Sequence, residues 1–440
     1  MKKKLNLWTL AGFLIGPVLG SGVILLPPLA LERAGSASFF AWMVTLVLMG
    51  IFAGVSATLA LHFPGSEGLT LAVGSAFGEE YRNLCGWLLV GAICFGPPAV
   101  LLLAGNFLWE IFPFLGSNIP GALLFLGLCA VLLRCRISFA GTLSLICSTL
   151  IGAGLLWGSL SVLLSPEMGR EIAFNLPAPK VFGETLVLLF WSIIGWEILG
   201  NYTLEIENPG KTIPLATGIA FGGICAIYLS IAGALPRTLS YGKAFPSMTD
   251  LLVPLFGKIA PLLLGSFGIL LCLCTYIMVV GGVARLGASM AEKGELPKFL
   301  ARKNPEGVPL GAATTLSCVH GLWIGLSYFS VLDITALVGI ANGLFLLNSL
   351  LVVLSAIRLL EHPAIRIASG ALALGFLILF ALADRTALLV SVGVLLFSLR
   401  RRGNFSLSPQ DSGKAPVKKK LLSPESSPGI RKTWLSGKML

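Results

Sequence analysis

Residues 190–214, FWSIIGWEILGNYTLEIENPGKTIP, run apolar up to Gly195, place one acid, Glu197, at what would be membrane depth, and end in a Glu-rich polar turn. A helix that served only as an anchor would not be built this way. Glycine in a helix interior costs roughly 0.5–1 kcal/mol relative to alanine, and an ionisable side chain at the bilayer centre costs about 2.5–3.5 kcal/mol on insertion scales. Together they predict a helix opened towards a cavity rather than lipid. Opened backbone at membrane depth is tolerated only where it is buried in protein or lines such a cavity.

The rest of the chain supplies the setting. Of 440 residues, 56% are hydrophobic and 12% charged, and the mean hydropathy is +0.91, which excludes an ordinary soluble domain. A crossing needs about 20 mostly apolar residues. Twelve such spans are read, near 7–33, 38–62, 83–112, 119–135, 139–164, 182–204, 212–236, 258–284, 309–329, 333–360, 364–382 and 385–402. Their length and their Gly and Ala content exclude an outer-membrane barrel. The expected fold is an all-α polytopic membrane protein: a transporter domain over 1–402, then a basic, disordered cytoplasmic tail over 403–440, rich in Ser, Pro and Lys.

Lys and Arg are retained on the cytoplasmic side. With both termini inside, 24 of the 31 basic residues, among them Lys2–Lys4, Arg82, Arg134, Arg285, Lys293 and Arg400–Arg402, are cytoplasmic. The opposite orientation inverts that ratio. The net charge of +11 thus reads as topology and attraction to anionic membrane lipid, not nucleic-acid binding. The opening MKKK and the apolar run past Pro27 read as a first span, not a cleavable signal. Nine cysteines lie within spans or at their cytoplasmic ends. They read as small packing residues, with no metal site or disulfide.

The first span repeats the anomaly of the sixth. LIGPVLGSGVILLPP places Gly16, Pro17, Gly20, Ser21 and Gly22 in mid-span. Small residues at four-residue spacing (Gly12, Gly16, Gly20) also suit close helix packing. A second reading follows from position: interrupted spans five apart are what two inverted five-helix repeats produce, helices 1–5 over about 7–164 and 6–10 over about 182–360, with helices 11 and 12 over about 364–402 added at the end.

These residues resemble the amino acid, polyamine and organocation (APC) transporters with the LeuT-type five-plus-five fold. Gly20-Ser21-Gly22-Val23 followed by Pro27 is similar to that family's Gly-Ser/Thr-Gly-hydrophobic signature, and Gly195-Trp196-Glu197 to its Gly-apolar-Glu. Glu205, Asn208, Pro209 and Pro214 resemble its cytoplasmic turn. Arg285 with Met290-Ala291 and Gly294-Glu295-Leu296-Pro297 resembles a segment after the eighth span, and Ala341-Asn342-Gly343 a tenth-span element. With Gly96-Pro97-Pro98 added, the pattern looks most like the bacterial methionine and branched-chain amino acid exporters. Trp196, where that subgroup has a smaller residue, and the long basic tail depart from it.

The chemistry can be stated from the residues. Freed N–H groups at Gly20, Ser21 and Gly22, at a half-helix N-terminus, suit a carboxylate. Freed carbonyls at Ile193, Ile194 and Gly195 suit an ammonium. A zwitterionic amino acid carries both groups, and side-chain selectivity then falls to the surrounding wall. The candidates for that wall are Pro97, Pro98, Trp196, Tyr276 and Ile340, all uncharged, which points to a neutral, hydrophobic amino acid such as methionine, leucine, isoleucine or valine.

Glu197 admits three readings: a ligand for a cationic substrate, a protonatable coupling group, or an acceptor for N–H groups freed by the break. Glu205 and Glu207 are expected to pair with Lys211 or Arg285 as a gate or clasp. Arg285 and Asn342 are further coupling or gating candidates. The coupling ion, H⁺ or Na⁺, stays open: the fifth span has no Lys or Arg to replace sodium, and Thr275 and Ser289 offer hydroxyls near the eighth. Alternatives are an antiporter or uptake permease for cationic amino acids or polyamines, then a channel, then an enzyme. His62, His320 and His362 sit on separate spans and form no catalytic constellation, and no cofactor is implied. The expected location is a bacterial inner membrane.

Overall fold

The computed structural model describes residues 4–135, 137–165, 177–241, 247–330, 333–383, 385 and 388–394. The tail over 403–440 and most of the last expected span lie outside them. Among the described residues the chain is almost entirely helical. Nine stretches are long and apolar enough to cross a membrane, the first of which, Leu7–His62, holds two crossings, and Asn118–Leu132 is a shorter apolar helix. Large apolar side chains face outward, among them Val47, Leu124, Leu150, Trp157 and Ile367, each at least 60% exposed. Such a surface suits hydrocarbon rather than water.

The first crossing comes in two pieces, α1 (Leu7–Leu19) and α2 (Gly22–Ala34). Asn6 starts α1 by accepting from Thr9 N–H (3.0 Å), while Thr9 Oγ1 accepts from Asn6 N–H (2.9 Å), a reciprocal cap. Leu5 also exchanges backbone bonds with Glu205 O and Glu207 N–H, 2.9 Å each, which tethers the start of the chain to the end of the sixth crossing. The second crossing is α3 (Ser38–His62). A short α4 (Thr70–Phe77) then precedes the long α5 (Glu79–Ile111), whose first turn carries Glu79 and Glu80 where the helix dipole favours acids.

The chain continues through α6 (Asn118–Leu132) and α7 (Ile137–Leu164) to the second interrupted crossing, α8 (Pro179–Leu189), which passes through a 3₁₀ turn at Phe190–Ser192 into a 3₁₀ helix at Glu197–Glu205. Then follow α9 (Pro209–Ala234), α10 (Thr249–Phe256), α11 (Ala260–Glu292), α12 (Leu310–Tyr328), α13 (Ile334–Leu359) and α14 (Pro363–Ala381). Inside the bundle α1 packs on α7, α9 and α11, and α5 packs on α6, α11, α12 and α13.

Several expectations shift. The fourth crossing stops at Leu132, and α4 and α10 fill stretches read as loops. The eighth crossing runs eight residues further than expected, so Arg285 and Met290-Ala291 lie on its last turns; residues 286–291 are buried there and stay helical. The second half of the sixth crossing is 3₁₀, not α, a form whose tighter turn accommodates the entry at Gly195.

Candidate functional site

The first break is set by Pro17 and Gly20. Gly20 sits at φ +41°, a left-handed conformation that L side chains rarely adopt, and a Cβ there would lie 2.5 Å from Pro17 O and 2.6 Å from Thr275 Oγ1. Its N–H donates to Gly16 O at 2.7 Å. Of the three N–H groups read as free at this break, that of Gly20 is therefore already taken, because α1 keeps one more hydrogen bond than the glycine pattern suggested. Val18 O, in the last turn of α1, accepts from Tyr228 Oη of α9 at 3.3 Å.

The second break turns on Gly195, at φ +121°. Its N–H donates to Glu197 Oε2 at 3.1 Å, so of the three readings of Glu197 the geometry displays the acceptor role. Glu197 is 2% exposed, and its Oε1, with Trp196 Nε1 and Asn342 Oδ1, has no hydrogen-bond partner among the described residues. The carbonyl of Gly195 accepts from Ile198 N–H at 3.2 Å, whereas Ile193 and Ile194 lie in the turn between the two helical pieces.

The breaks meet. Trp191 Nε1 donates to Ser21 Oγ at 3.4 Å. Between them lies a cavity of about 30 Å³, room for about two waters and too small for an amino acid. The first break contributes Pro17, Val18, Ser21 and Gly22; α5 contributes Ile93, Gly96, Pro97 and Val100; the second break contributes Trp191 and Ile194; α11 contributes Thr275, Tyr276 and Val279; α13 contributes Phe345. None of these is charged.

Of the residues expected to form the site, Ser21, Gly22, Ile194, Pro97 and Tyr276 line this cavity. Gly20, Ile193 and Gly195 belong to the breaks beside it. Trp196 and Ile340 are buried in the bundle without lining it, at 0% and 4% exposure, and Trp191 and Phe345 occupy the wall instead. The 3₁₀ turn after Leu189 rotates the chain, so the aromatic that faces inward lies before Gly195 rather than after it. Asn342 is buried on α13.

An ion pair joins the end of the sixth crossing to α11. Arg285 Nε donates to Glu205 Oε1 at 2.6 Å and its Nη2 to Oε2 at 3.1 Å, while Nη1 donates to Gly281 O at 2.8 Å. The guanidinium lies over the Tyr202 ring, 4.6 Å from its centroid. Of the two partners expected for Glu205, Arg285 is the one found. A second cluster went unread in the sequence: Glu67 takes Arg82 Nε at 2.8 Å and Lys293 Nζ at 2.6 Å, and accepts from Ser289 Oγ at 2.9 Å. Arg82 also pairs with Glu79. Burial pushes the Glu295 carboxyl, near the same cluster, above the ordinary range, opposed by Arg82. A lone acid in the Gly-rich turn GSEGL was the available signal.

His320, read as one of three histidines on separate spans, is fully buried in α12, hydrogen-bonded to Tyr276 and to the Ile93 carbonyl.

Comparison with known proteins fits this geometry. The chain is 25% identical over 371 residues, 79% of it and 82% of its relative, to the uncharacterized amino acid permease YecA of Bacillus subtilis. It is 28% identical over 422 residues, 91% of it and 97% of its relative, to the L-methionine/branched-chain amino acid exporter YjeH of Escherichia coli. The solved structure of MhsT in complex with L-phenylalanine superposes with a TM-score of 0.62 at 16% identity, covering 90% of this chain and all of that one, which bears out the LeuT-type fold. These relatives are transporters and not enzymes. The family model described as amino acid permease matches residues 5–399, and the chain is thus an integral membrane protein that belongs to the amino acid permease family.

Proposed function

We propose that this chain is a secondary active permease that moves neutral, hydrophobic L-amino acids across a bacterial inner membrane by alternating access, with both termini cytoplasmic on the strength of the charge asymmetry. The observation that carries the reading is the uncharged cavity at the meeting of the two breaks. Ser21 and Gly22 open α2, where the first N–H groups lack intrahelical partners and the dipole is positive, a seat for the substrate carboxylate. The carbonyls of Ile193 and Ile194 face the ammonium. Trp191, Tyr276, Val279 and Phe345 then receive an apolar side chain.

The small volume of the cavity supports a closed state that must open to admit substrate. Glu205–Arg285 and the Glu67 cluster join loops and helix ends that such an opening would part. Glu197 does not line the cavity, which weighs against a cationic substrate. The similarity to a methionine and branched-chain exporter supports the same substrate class and suggests export.

Counterflow in proteoliposomes tests the reading. Labelled methionine or leucine should exchange saturably and stereoselectively, and arginine and putrescine should not compete. Flux of arginine or putrescine alone would replace the reading with the cationic one, and ohmic conductance would make the chain a channel. Imposed proton or sodium gradients in the same vesicles identify the coupling ion.

A further inference from the structure

Pro97 removes an N–H from α5, and the carbonyl that would have met it is that of Ile93, four residues earlier. His320 fills the vacancy. Its Nε2 lies 2.7 Å from Ile93 O, and because a carbonyl only accepts, Nε2 carries the proton. In the neutral imidazole Nδ1 is then the acceptor, and it lies 2.8 Å from Tyr276 Oη. The phenol therefore donates to His320; its other neighbour, Ser317 Oγ, lies at 3.4 Å and itself donates to Ala313 O at 3.0 Å.

The arrangement crosses the cavity wall from behind. Ile93, Pro97 and Tyr276 line the cavity and His320 does not. One fully buried imidazole on α12 thus joins the proline step of α5 to the tyrosine of α11. Two consequences follow. The separation of the two walls is fixed by a hydrogen-bonded line rather than by apolar contact alone, and the only proton of the phenol is turned away from the substrate. Tyr276 then offers the cavity a ring and an occupied hydroxyl, a surface that favours apolar side chains over those seeking a donor.

We propose that His320 is a positioning residue for substrate selectivity: it holds Tyr276 and the Pro97 step in place and keeps the Tyr276 hydroxyl from serving polar substrates. This rests on the cavity being the amino acid site.

The test measures methionine binding to purified protein in detergent, with serine, threonine and glutamine as competitors. In His320→Leu the methionine Kd should rise about tenfold, the scale of one lost buried hydrogen bond, while the preference for methionine over the polar competitors falls further and the maximal counterflow rate per folded transporter changes less than the affinity. His320→Gln, whose amide keeps one donor and one acceptor, should recover most of the loss. Tyr276→Phe should lower methionine affinity without improving binding of polar competitors, and adding His320→Leu to it should cost less than His320→Leu alone.

Unchanged methionine affinity and selectivity in His320→Leu overturns the proposal, as does an equal loss for every amino acid with no recovery in His320→Gln, the mark of a purely structural role. Should His320→Leu fail to fold, Tyr276→Phe decides, and unchanged affinity there overturns the proposal. A wild-type protein that binds no neutral amino acid would instead remove the site reading and the proposal with it.

Discussion

At the scale of single residues, two positions hold the second break open. Gly195 adopts φ +121° with only Val18 Cγ2, at 3.5 Å, near an added Cβ. A methyl group would fit the space but not the backbone, so Gly195→Ala should cost about 1–3 kcal/mol through strain alone, read as a lower melting temperature in detergent. Glu197 accepts the Gly195 N–H, and an amide oxygen can do the same. Glu197→Gln is therefore expected to melt close to wild type, whereas Glu197→Leu leaves that buried N–H without its acceptor and should lose about 1–3 kcal/mol. Equal destabilisation by the two substitutions would deny Glu197 the capping role.

At the scale of elements, both breaks were legible in the sequence because the interrupted spans lie five apart, even though glycines of the first also serve close packing, Gly12 against Leu145 and Gly16 against Ser144. What followed the second break was not. Its place beside the break makes Trp196 a candidate for the wall, but α8 ends at Leu189 and passes into a 3₁₀ turn, Trp191 lines the cavity, and Trp196 packs in the bundle. Phe345 displaces Ile340 from the wall in the same way, since the register of α13 against its neighbours is a tertiary property. The Glu67 cluster joins the turn after α3 to the start of α5 and the end of α11, more than 200 residues away, and no local pattern announces such a pairing. Glu67 is 7% exposed and holds two cations, so Glu67→Ala should destabilise the protein by about 3 kcal/mol, at the low end for an opened buried ion pair. Glu67→Gln, which keeps acceptors but not charge, should lose less. Thermal unfolding of the two variants checks the order.

At the scale of the whole molecule, composition and the spacing of the two broken spans anticipated a helical bundle of two inverted five-helix repeats, the resemblance of the motifs pointed to the LeuT-type fold, and the superposition on MhsT bears that fold out. The chemistry of the site was legible only in outline. Ser21, Gly22 and Ile194, read from the sequence as site candidates, do line the cavity, but the cavity depends on how α5, α11 and α13 close around the breaks. His320 shows why: its role depends on a carbonyl freed by Pro97, 223 residues before it, and on a phenol one helix away. On the proposed function, one cavity reads the amino acid core through backbone and the side chain through an apolar wall. The most direct measurement is a structure determined with L-selenomethionine bound, the selenium located by its scattering. The carboxylate should lie about 3 Å from the Ser21 and Gly22 N–H groups, the ammonium against Ile193 and Ile194, and the selenium between Trp191 and Tyr276. Selenium found away from that cavity, or an ammonium paired with Glu197 instead of the carbonyls, would contradict it.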